Sequence, residues 1–281
     1  MTDRNKTSEK KQGLAGQAAR QCALAIREGI EMEVAMGSLP GFVGLIQLES
    51  SKGLCYKLDL SGVGPLFVKV LEDEGKAENE ASLSSRLAGL GIGCPVPLAV
   101  EGRVLVRDYL GAATAAEELD LALKWGDVAS ASRLCKRVAE LLADIHMVDS
   151  SCGHGLVVND LNLKNFLVSS NCSLSIIDLA EAGYGDQPKD LGALMVHILT
   201  HRPEFTDISA AMADSALDSY FTKAGKLWDV TEASAGLEEA LADASIRRAR
   251  PELPGLASWY VSHLKERAEA TTRRSHHGAE D

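Results

Sequence analysis

Strand-like and helical segments are segregated along this chain, and this order constrains the fold more than any other feature. The runs "GLIQLES" (44–50), "LCYKLDL" (54–60) and "LFVKVL" (66–71) are separated by short turns, as is typical of an antiparallel meander. From about residue 115, apolar residues recur at helical spacing instead. The pattern predicts an α+β fold with a small antiparallel β lobe and a larger helical lobe.

The same segregation predicts the domain boundaries. Residues 14–105 are expected to form an N-terminal β-rich lobe, with a leading helix over 14–36. Residues 106–268 are expected to form a C-terminal helical lobe that contains a polar loop, and the hinge is placed near 106–112. The polar ends, 1–13 and 269–281, are predicted to be disordered tails.

Composition excludes several classes of protein. The chain has 281 residues and a formal net charge of −11, which argues against a general nucleic-acid binder but not against a local basic pocket for an anionic substrate. No apolar run approaches the ~20 residues of a transmembrane helix, and the N-terminus does not resemble a secretory signal. Six cysteines without a C-x-x-C motif indicate a reducing compartment, so a cytoplasmic location is predicted.

A charged pair is predicted in the β-rich lobe. Lys69 alternates with apolar residues in "FVKV", and a lysine in the middle of a strand is costly to bury without a partner. The next helix, about 76–90, carries Glu80 on its apolar face, three residues before Leu83. The sequence therefore predicts a Lys69–Glu80 pair; the alternative is a solvated strand lysine.

A second polar group lies in "VVNDLNLKNFLVSS" (157–170), which contains Asp160, Asn162 and Asn165 between two apolar runs. Asp178 ends the later apolar run "LSII", which places a carboxylate at the end of a predicted strand. Asn165 and Asp178 offer hard oxygen ligands that suit Mg²⁺ bound to a phosphate. Asp160 is a candidate to accept a proton from an attacking hydroxyl.

The order of these residues resembles that of the protein-kinase-like superfamily. Within it, "NDLNLKNFLV…LSIIDLAEA…KDLGAL" is most similar to the lipopolysaccharide kinase (Kdo/WaaP) family. The small RIO kinases, and the atypical kinase of the tRNA threonylcarbamoyl machinery, share the compact layout. The resemblance covers about half the chain. It implies a bilobal protein-kinase-like fold, with ATP and Mg²⁺ as cofactors.

The resemblance also implies roles for individual residues. Lys69 would contact the α- and β-phosphates and pair with Glu80, and Asp160 would be the catalytic base. Asn165 and Asp178 would hold Mg²⁺. Further roles fall to Asn162 (the acceptor hydroxyl or the transferring phosphate), to Asp108 and Leu110 in the adenine-binding hinge 106–110, and to Asp190 (anchor of the catalytic-loop backbone).

The sequence departs from the kinase pattern in several places. The glycine-rich loop is absent, and "ESSKGLCYKL" stands between the first two strands. Ser51, Lys52 and Gly53 are candidates to contact phosphates there, and a plain hairpin turn is the alternative. The histidine of H-R-D is Val158, D-F-G reads D-L-A from Asp178, and no A-P-E motif follows. A peptide substrate therefore has little obvious platform.

Two features outside the motif are open to more than one interpretation. His146 ends a predicted helix, where a packing or capping role is favoured over catalysis. "IRRARPELPG" (246–255) places Arg247, Arg248 and Arg250 together. These arginines either form a solvated helix end or contact an anionic acceptor.

Three functions fit these residues. The leading hypothesis is an ATP- and Mg²⁺-dependent phosphotransferase that acts on a hydroxyl, as in a lipopolysaccharide-type sugar or glycolipid. A compact RIO-like serine/threonine protein kinase is the alternative, and a catalytically inactive kinase-like binding module is the third. The expected partners are ATP and a small-molecule or glycolipid acceptor, with no nucleic acid, no transmembrane segment and possible peripheral membrane contact.

Overall fold

A computed structural model describes residues 3–27, 37, 39–50, 53–149, 155–225 and 230–277 of the chain. The chain forms two compact units. The first comprises Met1–Gly111 and Ile176–Glu181, and the second comprises Ala112–Ser175 and Ala182–Asp281. The division at Gly111 falls inside the predicted hinge, but a single boundary does not account for Ile176–Glu181, which belongs to the first unit rather than to the helical lobe.

The first unit contains a five-stranded antiparallel sheet in the order β1-β2-β3-β5-β4. The first three strands are the predicted meander, and β4 was not predicted because it is only three residues long. The elements in chain order are α1 (Asp3–Arg27), β1 (Phe42–Leu48), β2 (Leu54–Leu60), β3 (Gly64–Val70), α2 (Glu74–Gly89), β4 (Ala99–Glu101) and β5 (Val104–Asp108).

Alternation along β3 separates the core of this unit from its charged residues. Side chains of successive strand residues point to opposite faces. Val68 and Val70 pack in a cluster with Ala19 and Cys22 of α1. Lys69 lies between these valines and is paired across the sheet with Leu105, which packs with Ala77 of α2 instead. The sheet therefore turns Lys69 toward the side where α2 packs.

The second unit is mainly helical, and its short strands form a three-stranded sheet in the order β6-β8-β9 and a two-stranded sheet of β10 and β7. Across the described helices, no stretch combines the length and apolar character that a membrane-spanning helix requires. The elements are β6 (Ala113–Thr114), α3 (Ala115–Lys124), α4 (Val128–His146), β7 (Gly155–Val157), a 3₁₀ turn (Leu163–Asn165), β8 (Phe166–Val168), β9 (Leu174–Ile176, whose last residue belongs to the first unit), β10 (Gly183–Gly185), α5 (Gln187–Leu199), α6 (Asp207–Ala224), α7 (Val230–Arg247) and α8 (Leu253–His277).

The terminal helices are longer than the sequence predicted. Helix α1 begins at Asp3 and α8 continues to His277, so the backbone is helical where disordered tails were expected. These segments were predicted to be disordered because they are polar. Polar residues along one helix face are, however, compatible with a solvated helix. Residues 28–36 of the predicted leading helix lie outside the described part of the chain.

Helices α5 and α7 approach each other at two glycines. A Cβ on Gly192 would collide with the carbonyl oxygen of Gly236, and a Cβ on Gly236 would collide with the carbonyl oxygen of Pro188. We expect Gly192→Ala to lower the free energy of unfolding by about 2 kcal/mol, because backbone atoms must move apart. Urea denaturation followed by circular dichroism measures this change.

Gly16 provides the matched control for that substitution. It lies inside α1, and a Cβ there would have open space around it. Gly16→Ala should stabilise the protein by about 0.5–1 kcal/mol, because alanine favours the helix. Equal effects of the two substitutions would contradict the close approach of α5 and α7.

Candidate active site

Lys69, Glu80 and Asp178 form a charged cluster in the first unit. The Lys69 Nζ donates to Glu80 Oε2 at 2.7 Å and to Asp178 Oδ1 at 2.6 Å. Glu80 is fully buried and Lys69 is 6% exposed, whereas the Asp178 side chain is 28% exposed. The predicted Lys69–Glu80 pair is thus present, and Asp178 is a second partner of the same ammonium group.

The two carboxylates keep Lys69 charged. Burial alone would lower the pKa of Lys69, but the negative charges of Glu80 and Asp178 and their hydrogen bonds raise it above its ordinary value. Breaking such a buried pair by removing one partner costs several kcal/mol, about 3–5 in measured cases. The cluster therefore holds a permanent cation at the point where β3 faces α2.

Arg107 is a fourth member of this cluster, and the sequence analysis missed it. It is 4% exposed, and its Nη1 lies 3.6 Å from Glu80 Oε1. Its guanidinium also stacks over the Phe67 ring, with the two centres 4.6 Å apart. The signal was available in "VLVRDY", where a charged residue interrupts an apolar strand as Lys69 does in "FVKV". Arg107 gives Glu80 a second counter-ion.

The residues after Asp178 are held by α2. The Asn79 side chain donates to the carbonyl oxygens of Leu179 and Ala180, at 3.4 and 3.1 Å. Lys76 forms ion pairs with Glu72 at 2.6 Å and with Glu181 at 2.7 Å. Sequence reasoning missed these contacts because nothing in a helix pattern specifies a partner a hundred residues later. A small pocket is lined by Lys69, Leu71, Glu72, Lys76, Asp178, Ala180 and Glu181.

Side chains of the D-x-x-x-x-N loop in the second unit form hydrogen bonds to the backbone of the same loop. The Asn165 amide donates to the carbonyl oxygen of Asp160 at 3.1 Å. Asn162 accepts from the backbone N–H of Lys164 at 3.0 Å and so caps the 3₁₀ turn that follows. The Asp160 side chain is 25% exposed. The loop thus presents Asp160 at its surface, and Asn162 has a structural contact that sequence reasoning did not assign.

Asp190 anchors the backbone of this loop, as predicted. Its carboxylate accepts from the backbone N–H groups of Val158 and Asn159. His146 is buried and lies with its Nε2 3.3 Å from Asp190, while its Nδ1 lies 2.6 Å from the hydroxyl of Tyr220. His146 therefore has the buried contacts that a packing role requires, and through it α4 supports Asp190.

Asp178 and Asn159 both adopt a left-handed backbone conformation, with φ of 63° in each. Aspartate and asparagine tolerate this region better than other non-glycine residues. Such conformations still cost free energy and tend to occur at functional sites. Each of them here lies in a polar segment that the sequence analysis selected.

The predicted phosphate-binding turn is only partly described. Ser51 and Lys52 lie outside the described residues. Gly53 has φ of 120°, and a Cβ there would approach the carbonyl oxygen of Val70 to 2.7 Å. The requirement for glycine at position 53 is thus explained by the hairpin itself, which agrees with the plain-turn alternative.

Two backbone groups of the predicted hinge are already paired. The Val106 carbonyl accepts from Leu98 N–H at 2.8 Å, and Tyr109 N–H donates to the Pro65 carbonyl at 3.1 Å. Asp108 ends β5 and is exposed, and Leu110 is 45% exposed. Adenine binding by Asp108 and Leu110 stays a prediction.

Asp178 in the first unit and Asn165 in the second each offer a side-chain oxygen of a kind that binds magnesium. Asp178 Oδ1 is bound to Lys69, which leaves its second carboxylate oxygen for another partner. Asn165 uses its amide nitrogen on the Asp160 carbonyl, and no hydrogen bond from the described residues engages its side-chain oxygen. Carboxylate and amide oxygens are ligands that Mg²⁺ accepts.

Comparison with known proteins shows a kinase-like fold. The sequence model of the RIO domain family matches residues 73–200. A search of curated proteins found no match. Similar solved structures include the choline kinase LicA from Streptococcus pneumoniae, at 13% identity over 85% of this chain and 99% of the other, with a TM-score of 0.53.

Two further structures show the same architecture. The Plasmodium vivax ethanolamine kinase is 8% identical, covers 79% of this chain and 81% of its own, and has a TM-score of 0.54. The macrolide 2'-phosphotransferase MphH from Brachybacterium faecium is 14% identical, covers 85% and 96%, and has a TM-score of 0.50. The predicted protein-kinase-like α+β fold is confirmed, and the matches support the predicted kinase. The resemblance to the lipopolysaccharide kinase family stays a prediction.

Proposed function

We propose that this protein is an ATP- and Mg²⁺-dependent phosphotransferase that acts on a hydroxyl of a lipopolysaccharide-type sugar or glycolipid. The observation that carries the proposal is the buried Lys69, bound to Glu80 at 2.7 Å and to Asp178 at 2.6 Å. A buried cation with a partly exposed carboxylate neighbour suits the phosphates of a nucleotide. The RIO domain match over residues 73–200 supports ATP-dependent phosphotransfer as the reaction class.

Each residue in the proposal has one task. Lys69 binds the α- and β-phosphates. Glu80 holds Lys69 in position, and Arg107 is the second counter-ion of Glu80. Asp160 orients the acceptor hydroxyl and takes its proton. Asn165 and Asp178 are assigned to Mg²⁺, which when bound neutralises charge that develops on the phosphates. Asn162 is assigned to the acceptor or the transferring phosphate, Asp108 and Leu110 to adenine, and Ser51, Lys52 and Gly53 to phosphate contacts.

An atypical protein kinase is the second candidate, and the RIO domain match favours it. The two candidates share the nucleotide chemistry and differ in the acceptor. The inactive binding module is disfavoured by the charged cluster, because burying Lys69 and Glu80 has a desolvation cost that an apolar pair would avoid. A module that binds no nucleotide has no chemical need for that cluster.

Nucleotide binding and phosphotransfer test the proposal in sequence. We expect ATP to raise the melting temperature of the purified protein only when Mg²⁺ is present, since a ligand that binds the folded state stabilises it. With labelled ATP, phosphate should then appear on lipopolysaccharide or lipid A, and not on choline, ethanolamine or generic proteins. Labelled generic protein or autophosphorylation would replace the proposal with the second candidate.

A substitution separates specific binding from general stabilisation. Asp178→Asn should remove the Mg²⁺ dependence of the thermal shift. Asp243→Asn is the control, because Asp243 in α7 forms an exposed pair with Lys189 at 3.0 Å and such pairs contribute little. Absence of any Mg²⁺-dependent shift in the wild-type protein would leave the inactive module as the better interpretation.

A further inference from the structure

Arg247 lies beside the proposed catalytic base. It is the last residue of α7, and its Nη1 lies 3.9 Å from Asp160 Oδ1. Its side chain is 60% exposed. Cations are favoured at helix C-termini by the helix dipole, but that effect does not explain why this side chain approaches a carboxylate of the D-x-x-x-x-N loop. The ion pair between Arg247 and Asp160 is long and exposed, so it is weak, and Arg247 can exchange Asp160 for another anion at little cost in free energy.

Arg248 is oriented by neutral partners. Its Nη1 donates to the Thr200 hydroxyl at 2.9 Å, and its Nη2 lies 3.4 Å from His197 Nδ1. Burial, together with the positive charges of Arg248 and Arg247, lowers the pKa of His197 to about 4. The imidazole is therefore neutral at pH 7, and its Nδ1 accepts from Arg248. Among the described residues, no carboxylate lies within ion-pair distance of the Arg248 guanidinium.

Arg250 differs from its two neighbours because its charge is already balanced. Its guanidinium bonds Glu204 twice at 3.0 Å and Glu252 at 2.8 Å. Burial lowers the pKa of Arg248, and the charges of Arg247 and Arg250 lower it further. Arg247 thus places one positive charge at Asp160, and Arg248 places a second one at His197, in a chain whose net charge is −11.

We propose that Arg247 and Arg248 bind an anionic group, a phosphate or a carboxylate, on the acceptor whose hydroxyl Asp160 activates. This inference rests on the proposed function and adds the charge class of the substrate. Guanidinium groups match phosphate and carboxylate in a bidentate geometry. An acidic protein repels anions over most of its surface, so a local pair of cations is required to bind one. A cationic alcohol would be repelled at the same place.

Calorimetric titration tests the inference without knowledge of the natural acceptor. The protein is first saturated with Mg-ADP, so that added anions cannot occupy the nucleotide site. Glucose 6-phosphate, glucose, choline and lipid A micelles are then titrated separately. We expect binding of glucose 6-phosphate, of lipid A or of both, and none of glucose or choline. The two anionic probes distinguish a free sugar phosphate from a phosphorylated glycolipid.

Substitutions assign the binding to the two arginines. Arg247→Gln and Arg248→Gln should each weaken binding of the anionic probe by about tenfold or more, the loss of a charge-assisted hydrogen bond. Arg250→Gln is the control and should leave that binding unchanged. Arg247 is exposed, so its variant should keep the wild-type circular dichroism spectrum even if the Arg248 variant does not.

The outcomes separate this inference from the proposed function. Failure of Mg-ADP to bind contradicts the proposed function itself. If Mg-ADP binds but neither anionic probe does, or if the anion binds equally well to Arg247→Gln, the inference is overturned and the phosphotransferase proposal stands. Binding of choline or glucose in preference to the anions would also overturn it.

Discussion

Asp160→Asn is expected to lower the rate of phosphotransfer by about 10²–10⁴-fold, because an amide cannot accept the proton of the acceptor hydroxyl. The substitution keeps the size of the side chain, and the loop backbone is held independently by Asp190, through the N–H groups of Val158 and Asn159. Binding of Mg-ATP should therefore remain close to that of the wild type. Initial rates with the best acceptor of the phosphotransfer screen, and a parallel nucleotide titration, measure the two effects.

Asp144→Asn is the matched control for this prediction. Asp144 lies on α4 and pairs at the surface with Lys223 at 3.1 Å, so its loss should change neither rate nor nucleotide binding. A wild-type rate in the Asp160 variant would remove Asp160 from the chemistry. A parallel loss of nucleotide binding would instead indicate that the loop had been distorted.

Local patterns were enough to predict most of the first unit. Apolar alternation and turns predicted β1, β2 and β3, and the strand that contains Val104–Asp108 was also expected. Patterns failed where an element was too short to have a period, as in β4, or where polarity was read as disorder, as in α1 and the end of α8. The return of Ile176–Glu181 to the first unit depends on contacts with Lys69 and Asn79, which no local pattern encodes.

Sequence patterns predicted several charged residues of the candidate site, but they did not predict all the residues that these contact. Lys69 and Glu80 were predicted as a pair because each is a charge on an apolar face, and Asp190 was predicted to anchor a loop. Arg107 carries the same signal as Lys69, yet no rule joins a charge in β5 to a helix that precedes it. Arg247 and Asp160 are separated even further along the chain, since their contact joins the end of α7 to a loop that lies before α5.

Lys69→Met should abolish detectable Mg-ATP binding and lower the free energy of unfolding by about 3 kcal/mol. The stability loss arises because Glu80, which is fully buried, would keep as a counter-ion only Arg107 at 3.6 Å among the described residues, and a poorly compensated buried charge is costly. Urea denaturation and nucleotide titration report the two effects. Lys265→Met is the control, since Lys265 forms an exposed pair with Glu238 at 3.4 Å, and it should change neither quantity.

The double variant Lys69→Met/Glu80→Gln distinguishes a functional lysine from a structural one. Removing the Glu80 charge removes the unpaired carboxylate, so the double variant should recover part of the stability that the single variant loses. Nucleotide binding should not recover with it, because the phosphates still lack the Lys69 cation. If nucleotide binding returned together with stability, Lys69 would act only by compensating the buried charge of Glu80, and its assignment to the phosphates would be wrong.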